Sequence, residues 1–495
     1  MSAPLVLPQM LARSAAAHGE RVAVADAGRT LTYGELDEKV SGLARALRAQ
    51  GLEAGERVAI ALESSWQYVV ALYGAHRAGA VAVPLNVQAK GQDLSRWLRH
   101  SDARFLIAGS GLRELPSVLQ DIGQELVLVD VEATGPANTR LPDLDARMPA
   151  TIMYTSGTTG EPKGVLLSHG NLASNACSIA DYLGLCESSS IVTILPFYYA
   201  YGSSVLHSHL ARGGRIVIEK GFTFPHLVMA AVARERATGF AGVPSTFALM
   251  LSRVDVSQYD LSSLEYLTQA GGAMSPTLTR QVCEAFPGRR LFVMYGQTEA
   301  TSRISYLEPR RLHDKLGSVG KPLPGVQWEL RGDYGSVCPV GEVGQLWVKG
   351  PNVMMGYWRN PAATDRVLAG GWLDTGDQGH LDAEGFLFLA GRRSDIIKVG
   401  AHRVHPQDIE AVISELPGVH EVAVVGMDDA VLGEVTRALV VLRPGSELSV
   451  QQIRRHCLEN LAGYKVPKVV EFVADLPRTA SGKVKRHGLI NRENA

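Results

Sequence analysis

Cysteine, net charge and unbroken apolar sequence are all scarce in this chain of 495 residues. The five cysteines, at positions 177, 186, 283, 338 and 457, are odd in number and scattered. They fit neither a disulfide framework nor a C-x-x-C zinc site, and they point to a reducing, cytoplasmic setting. A net charge of -1 provides no global field for gathering DNA, RNA or an anionic membrane, which sets nucleic-acid binding aside. The longest apolar region, Tyr68 to Leu85, is cut by His76 and Arg77, so no membrane span is expected. The opening MSAPLVLPQMLARSAAAHGER has no basic residue before Arg13 and two prolines in its apolar part, and reads as mature sequence rather than a secretory signal.

What is present is α/β texture on a chain too long for one core. Short β-branched runs at 57–62, 103–109, 190–197, 214–220, 264–272 and 290–296 read as strands, and 35–50 and 226–237 have helical spacing between them. This alternation predicts stacked, mostly parallel sheets. From about 317 the texture shifts to short glycine-punctuated strands, a β-rich subdomain. After LAGRRSDIIKVG come two strands, EVAVVGM and RALVVL, and the amphipathic VQQIRRHCLENL, a compact α+β unit. The expected division is a large domain over 1–392 and a small, mobile one over 393–495, with a hinge near 391–396.

Chemistry concentrates where glycine follows a strand, since ligands of α/β sheets sit at the strands' carboxyl ends. In YTSGTTGEPKG, residues 154–164, glycines, hydroxyls and one lysine crowd together after an apolar run. Glycine lets backbone N–H groups face an anion, hydroxyls donate to phosphate oxygens, and lysine adds charge, so a polyphosphate is the expected guest. The Walker template fails, because Pro162 and Gly164 stand where it needs glycine and a hydroxyl. In QAGGAM, YGQTEA and WLDTGDQG, Gly271 and Gly272 allow close backbone approach, Tyr295 offers a flat face, and Asp377 suits two vicinal hydroxyls. Together they fit a nucleotide.

With these pieces assembled, the chain resembles the AMP-forming acyl-CoA synthetases and the wider adenylate-forming superfamily, which includes luciferases and peptide-synthetase adenylation domains. The resemblance runs over the whole chain and rests on six motifs in the family's order: YTSGTTGEPKG, YGQTEA, GEVGQLWVKGPNVMMGYW, GGWLDTGDQG, GRRSDIIKVGAHRVHPQDIE and LPRTASGKVKR. It implies two steps. A carboxylate attacks the α-phosphate of ATP, giving acyl-adenylate and pyrophosphate, and a thiol then takes the acyl group and releases AMP.

By that resemblance Thr155, Ser156, Gly157, Thr158, Thr159, Gly160 and Lys163 wrap the β- and γ-phosphates. Gly271, Gly272, Ala273, Tyr295 and Gly296 hold the adenosine, with Tyr295 stacked on adenine, and Asp377 with Arg392 holds the ribose. Glu299 is the implied Mg²⁺ ligand, Thr298 contacts phosphate, and Lys483 stabilises the charge developing in adenylation. The implied hinge residue is Ser394, where relatives carry Asp or Lys. Gly400, Ala401, His402 and Arg403 stand where relatives often read Ser-Gly-x-Arg along the pantetheine tunnel, so Ala401 adds a methyl there.

LPFYYAYGSSVLHSHL corresponds to the family's acyl pocket, implying Tyr199, Tyr201, Gly202, Val205 and Thr301 as its lining. Many relatives carry histidine at the position of Tyr199, and amino-acid-activating ones carry an aspartate in this region. Neither is present, so an α-ammonium would go unpaired and an amino acid is not the expected substrate. Tyr-Ala-Tyr-Gly resembles the Phe-Ala-Tyr-Gly of benzoate-type ligases. The expected substrates are a fatty or aryl carboxylic acid, ATP with Mg²⁺, and CoA. The alternative acceptor is the phosphopantetheine of a carrier protein supplied in trans.

Overall fold

The computed structural model describes residues 6–123, 126–155, 163–399, 402–429, 433–478, 484–486 and 489, with the backbone alone at Ser394, Arg403 and Gly433. Two large sheets form where the β-branched runs lie. The nine-stranded sheet has the order Lys321–Pro322, Ser305–Leu307, Arg290–Tyr295, Tyr266–Gln269, Gly239–Gly242, Ser190–Thr193, Arg215–Ile218, Val22–Asp26 and Arg29–Thr32. Its inner pairs are parallel and antiparallel strands close both edges. The seven-stranded sheet runs Gly356–Tyr357, Lys163–Ser168, Pro149–Thr155, Val81–Pro84, Arg57–Ala61, Ala103–Ala108 and Val127–Leu128. One apolar core draws on both sheets and on the helices Tyr33–Ala49, Trp66–Arg77, His169–Leu183 and Ala200–Leu210.

Local chemistry starts these helices where the fold needs them. Thr32 and Glu35 form a capping box before Tyr33–Ala49. Ser168 and Asn171 do the same for His169–Leu183. Asn171 goes further, donating through Nδ2 to the carbonyls of Pro351 (2.7 Å) and Val353 (2.9 Å). That ties the helix to the segment carrying Asn352, which matters below.

Two strand expectations are too long. The run 264–272 is strand only over Tyr266–Gln269. The run 190–197 is strand only over Ser190–Thr193. Leu195 donates its N–H to Thr193 Oγ1 at 3.2 Å instead of a neighbouring strand. Pro196 has no N–H to give, and Phe197 donates to Ser64 Oγ at 2.9 Å. The chain turns here into the helix Ala200–Leu210.

The β-rich stretch is an antiparallel sheet in which Gln327–Arg331, Gly344–Lys349, Trp372–Leu381 and Leu368–Ala369 lie side by side, and Leu387–Arg392 pairs with Trp372–Leu381. The C-terminal region builds its own sheet from His402–Val404, Ile397–Val399, Gly433–Leu442, Val419–Asp429 and Val469–Phe472. The cluster on one face includes Ile397, Ile409, Val424, Val440, Ile453 and Cys457 and takes no residue from before 397. A large sheet-rich N-terminal domain and a smaller C-terminal one thus have separate cores. Among the described residues no helix is long and apolar enough to cross a membrane, and all five cysteines are free thiols.

Candidate active site

The hairpin Pro149–Thr155/Lys163–Ser168 sets Thr155 opposite Lys163, so the two ends of the glycine–hydroxyl stretch meet at one register pair. Ser156, Gly157, Thr158, Thr159 and Gly160 between them lie outside the described residues. Lys163 Nζ stands 5.6 Å over the ring of Tyr357, whose hydroxyl donates to Glu299 Oε1 at 3.0 Å. Burial, with Glu299 beside it, pushes the Tyr357 phenol well up, so it stays a neutral donor. The cation of the loop and the carboxylate of YGQTEA therefore share one tyrosine.

Glu299 reaches this point because the strand Arg290–Tyr295 runs out into a 3-10 turn, Thr298–Ala300. The Glu299 carbonyl accepts from Met354 N at 2.9 Å, and Thr301 Oγ1 donates to the Asn352 carbonyl at 2.6 Å. Gly296 makes the return possible: a Cβ there would sit 1.9 Å from the Ser302 carbonyl oxygen.

Tyr295, the last residue of that strand, donates its hydroxyl to Asp377 Oδ2 at 2.5 Å. Asp377 is register partner to Arg392 across the antiparallel pair, and Arg392 Nε lies 3.2 Å from its Oδ1. Burial, with Asp377 beside it, drives the Tyr295 phenol well above its ordinary range. Gln297 Nε2 donates to the Thr375 carbonyl at 3.4 Å, closing the same corner. Opposite, Gly271 turns at φ +85° directly after Tyr266–Gln269, and Gln269 Nε2 holds the Gly272 carbonyl at 2.8 Å. Gly272 and Ala273 are exposed there.

The other side of the site is the buried helix Ala200–Leu210. Its many polar side chains are satisfied internally: His207 contacts Tyr73 Oη (2.9 Å) and Ser203 Oγ (3.0 Å), and His209 contacts Tyr266 Oη (2.8 Å) and the Val205 carbonyl (2.9 Å). Burial lowers His207 to about 3 and His209 to about 4, so both are neutral structural groups with both ring nitrogens engaged. Tyr199, before the helix, accepts from Asn86 Nδ2 at 3.3 Å, and Tyr201 contacts Thr268 at 2.9 Å. Two cavities flank the helix. One touches Ala200, Ser203, Ser204, His207 and Thr301, and the other touches Tyr201, Val205, Thr268, Met294 and Arg303. Of the acyl-pocket expectations, Tyr201, Val205 and Thr301 border them, whereas Tyr199 and Gly202 line neither. Among the described residues, no Asp or Glu lines either cavity.

In the C-terminal region the His402 ring stacks on Tyr464 at 4.0 Å, and Arg403 pairs with Lys398 in the sheet. Ser394 lies in the 3-10 turn Arg393–Asp395, flanked by the ion pairs Arg393–Asp374 (3.4 Å) and Arg486–Asp395 (3.7 Å). Gly400, Ala401 and Lys483 lie outside the described residues. Sequence reasoning missed Tyr357, Asn352 and Arg303. The first two sit inside GEVGQLWVKGPNVMMGYW but carry no catalytic signature of their own, and Arg303 follows YGQTEA with nothing to separate it from a surface arginine.

This arrangement agrees with known proteins along its whole length. The family model of AMP-binding enzymes matches residues 11–358, and that of the AMP-binding enzyme C-terminal domain matches residues 408–483. A feruloyl-CoA synthase from an Amycolatopsis species is 35% identical over 465 residues, covering 93% of this chain and 94% of that protein. The o-succinylbenzoate CoA synthetase of Bacillus subtilis, solved with its acyl-adenylate intermediate, superposes with a TM-score of 0.88 at 31% identity over 99% of this chain and 98% of that one. The same enzyme solved with ATP and a magnesium ion gives 0.86 at 31% identity, over 97% and 98% of the two chains. An anthranilate CoA ligase holding anthranoyl-AMP gives 0.91 at 28% identity, over 99% and 97%.

Proposed function

The chain belongs to the AMP-binding enzymes and is an ATP-dependent, AMP-forming acid–CoA ligase, and we propose that the acid it activates is an aryl carboxylic acid. The observation that carries this reading is the pairing of two ends in one site. A set of linked polar groups, Tyr295–Asp377–Arg392 with Lys163–Tyr357–Glu299, stands at the strand ends. A tyrosine-lined pocket lies behind it, with no carboxylate among the described residues that line it.

Each residue then has a physical task. Asp377 and Arg392 hold the ribose, and the face of Tyr295 meets adenine while its hydroxyl stays on Asp377. Lys163 and the residues Thr155–Gly160 hold the outgoing phosphates. Glu299, its Oε1 aligned by Tyr357 and a hydroxyl supplied next door by Thr298, forms a hard-oxygen donor set that suits Mg²⁺. That ion would neutralise charge on the phosphates. Lys483 adds a fixed positive charge where phosphoryl charge develops, which is where preorganised electrostatics act most strongly. The second step needs a thiol where Lys483 stood, so we assign 393–495 as a unit that turns at Ser394 and brings Gly400, Ala401, His402 and Arg403 to line the pantetheine path. Free thiols at all five cysteines and the use of ATP and CoA support a cytoplasmic setting for the reaction.

Pyrophosphate release measured over aryl, fatty and α-amino acids, followed by a thiol test with CoA and with holo-carrier proteins, checks this. Turnover with aryl acids, background with amino acids and thioester on CoA are the expected results. Strong release with an α-amino acid would overturn the acid assignment, and thioester on the carrier alone would replace CoA by a carrier acceptor.

A further inference from the structure

Arg303 is the largest fully buried side chain among the described residues, 1% exposed. Its surroundings give it no counter-charge: none of the ion pairs among the described residues includes it. Nε donates to Tyr182 Oη at 3.2 Å, Nη2 reaches Ser204 Oγ only at 3.5 Å, and the guanidinium stands 5.1 Å over the ring of Tyr201. Nη1, which carries two N–H donors, has no hydrogen-bond partner among the described residues. Removing one partner from a buried ion pair ordinarily costs about 3–5 kcal/mol, so a cation buried alone needs a reason.

The rest of the chain is arranged to keep it there. The Arg303 carbonyl accepts from Asn175 Nδ2 (3.0 Å) and Asn352 Nδ2 (2.8 Å), two amides from distant segments. The two residues before it, Thr301 and Ser302, are non-glycine yet sit at φ 56° and 91°. Such backbone persists only where surrounding contacts over-determine it. Thr301 is held by Asn352, and Ser302 Oγ by Ser204 Oγ at 3.2 Å.

The guanidinium lines the second of the two cavities, beside Tyr182, Tyr201, Thr268 and Met294. This cavity lies inside the sheet ends. Thr268 and Met294 each precede the last residue of their strand, and Ile191, which also lines it, is the second residue of Ser190–Thr193. The carboxylate that attacks phosphorus must be at the strand ends, with the nucleotide, so the group that meets Arg303 is the far end of the acid.

We propose that Arg303 is the receptor for a second anionic group on the acid, so that the substrate class is an aryl acid bearing a second carboxylate or a like anion. This rests on the acid–CoA ligase reading above and deepens it. Bound anion and buried cation pair in a water-poor cavity, and an acid lacking the anion leaves Nη1 unmet, which is how a polar site rejects an apolar analogue.

The test uses the full-length enzyme and matched acids: benzoate against the benzenedicarboxylates, and phenylpropanoate against its ring-carboxylated isomers and their ring methyl esters. Pyrophosphate release should favour one diacid over its monoacid and its ester by at least about tenfold in kcat/KM. Arg303→Met should abolish that preference, read as the ratio of diacid to monoacid kcat/KM, and Arg303→Lys should restore part of it. Without substrate, Arg303→Met should melt at the same temperature or higher, because a structural arginine would leave a destabilised fold and a ligand-binding one relieves an uncompensated charge. Should Arg303→Met fail to fold, the wild-type diacid preference and Arg303→Lys decide alone. A wild type that favours monoacids overturns this inference and leaves the ligase reading standing. No pyrophosphate from any acid overturns both.

Discussion

The nucleotide end and the acid end of the site treat charge in opposite ways. At the nucleotide end Asp377 sits between Tyr295 and Arg392, Asp374 faces Arg393, and Glu299 accepts from Tyr357. Behind it, along Ala200–Leu210, burial keeps the histidines neutral, and the deeply buried Arg303 enters none of the ion pairs among the described residues. Paired charges can be held ready in a folded protein at modest cost, and they suit a ligand that every family member shares. An unpaired buried charge is costly until its ligand arrives, and it suits a ligand that only some members take.

The sharpest way to test this contrast is at the nucleotide end. Lys483→Ala should slow adenylation by on the order of 10²–10³ while sparing thioester formation from supplied acyl-adenylate, because fixed charge acts only while phosphoryl charge develops. Rapid-quench measurement of the two half-reactions reads this directly, and equal losses in both would remove the assignment.

A smaller effect is expected for Asp377→Asn, which keeps the shape and weakens both the Arg392 pair and the acceptor for the ribose. A hydrogen bond to a charged group is worth roughly 1.5–3 kcal/mol, so kcat/KM for ATP should fall about 10- to 100-fold with the acid preference unchanged. Steady-state kinetics with ATP and with the acid varied in turn separate the two. A shift in acid preference would mean that the two ends are not independent.

The acid end carries its own signature in stability. An unfolded histidine titrates near 6.5. In the fold burial holds His169 and His209 at about 4 and His207 at about 3, and His76 also falls well below its ordinary value. Above pH 6.5 both states are neutral and the full stability is present. As pH falls from 6.5 toward 4 the unfolded chain takes up protons that the fold refuses, so stability is lost across that window. Melting temperature followed from pH 7 to pH 5 should drop, and His209→Phe should flatten the drop even if it lowers the melting temperature at pH 7.

The smallest expected change lies at the thiol path. Ala401→Gly should raise thiol transfer by a factor of about two or three, and Ala401→Leu should suppress it while adenylate formation stays nearly intact, since one methyl in a crowded path is worth about 1–3 kcal/mol at most. If Ala401→Leu slows adenylation as much as transfer, the position does not line that path.

The two ends also differ in how far they could be read from the chain. The α/β class, the β-rich stretch after 317, the separate C-terminal unit and the residues of the nucleotide end follow from runs of neighbours: β-branched strands, glycine turns, and motifs whose spacing is set by one strand and its loop. Asp377 is legible from its place in WLDTGDQG and Arg392 only through the family resemblance, while their register across one antiparallel pair came from the structure. The strand reading failed at Leu195–Phe197, where periodicity is right but a proline and a hydroxyl cap redirect the backbone.

What tertiary structure alone decided is burial and partnership. Arg303, a few residues past YGQTEA, looks in sequence like any charged residue on a loop. It becomes a candidate recognition group because Asn175 and Asn352, 128 and 49 residues away, fasten its backbone, and because Tyr182 and Tyr201 enclose its side chain. Local sequence sets backbone preference and turn chemistry, which act over a few residues. The cost of a buried charge depends on which distant groups face it, and only packing of the whole chain determines that.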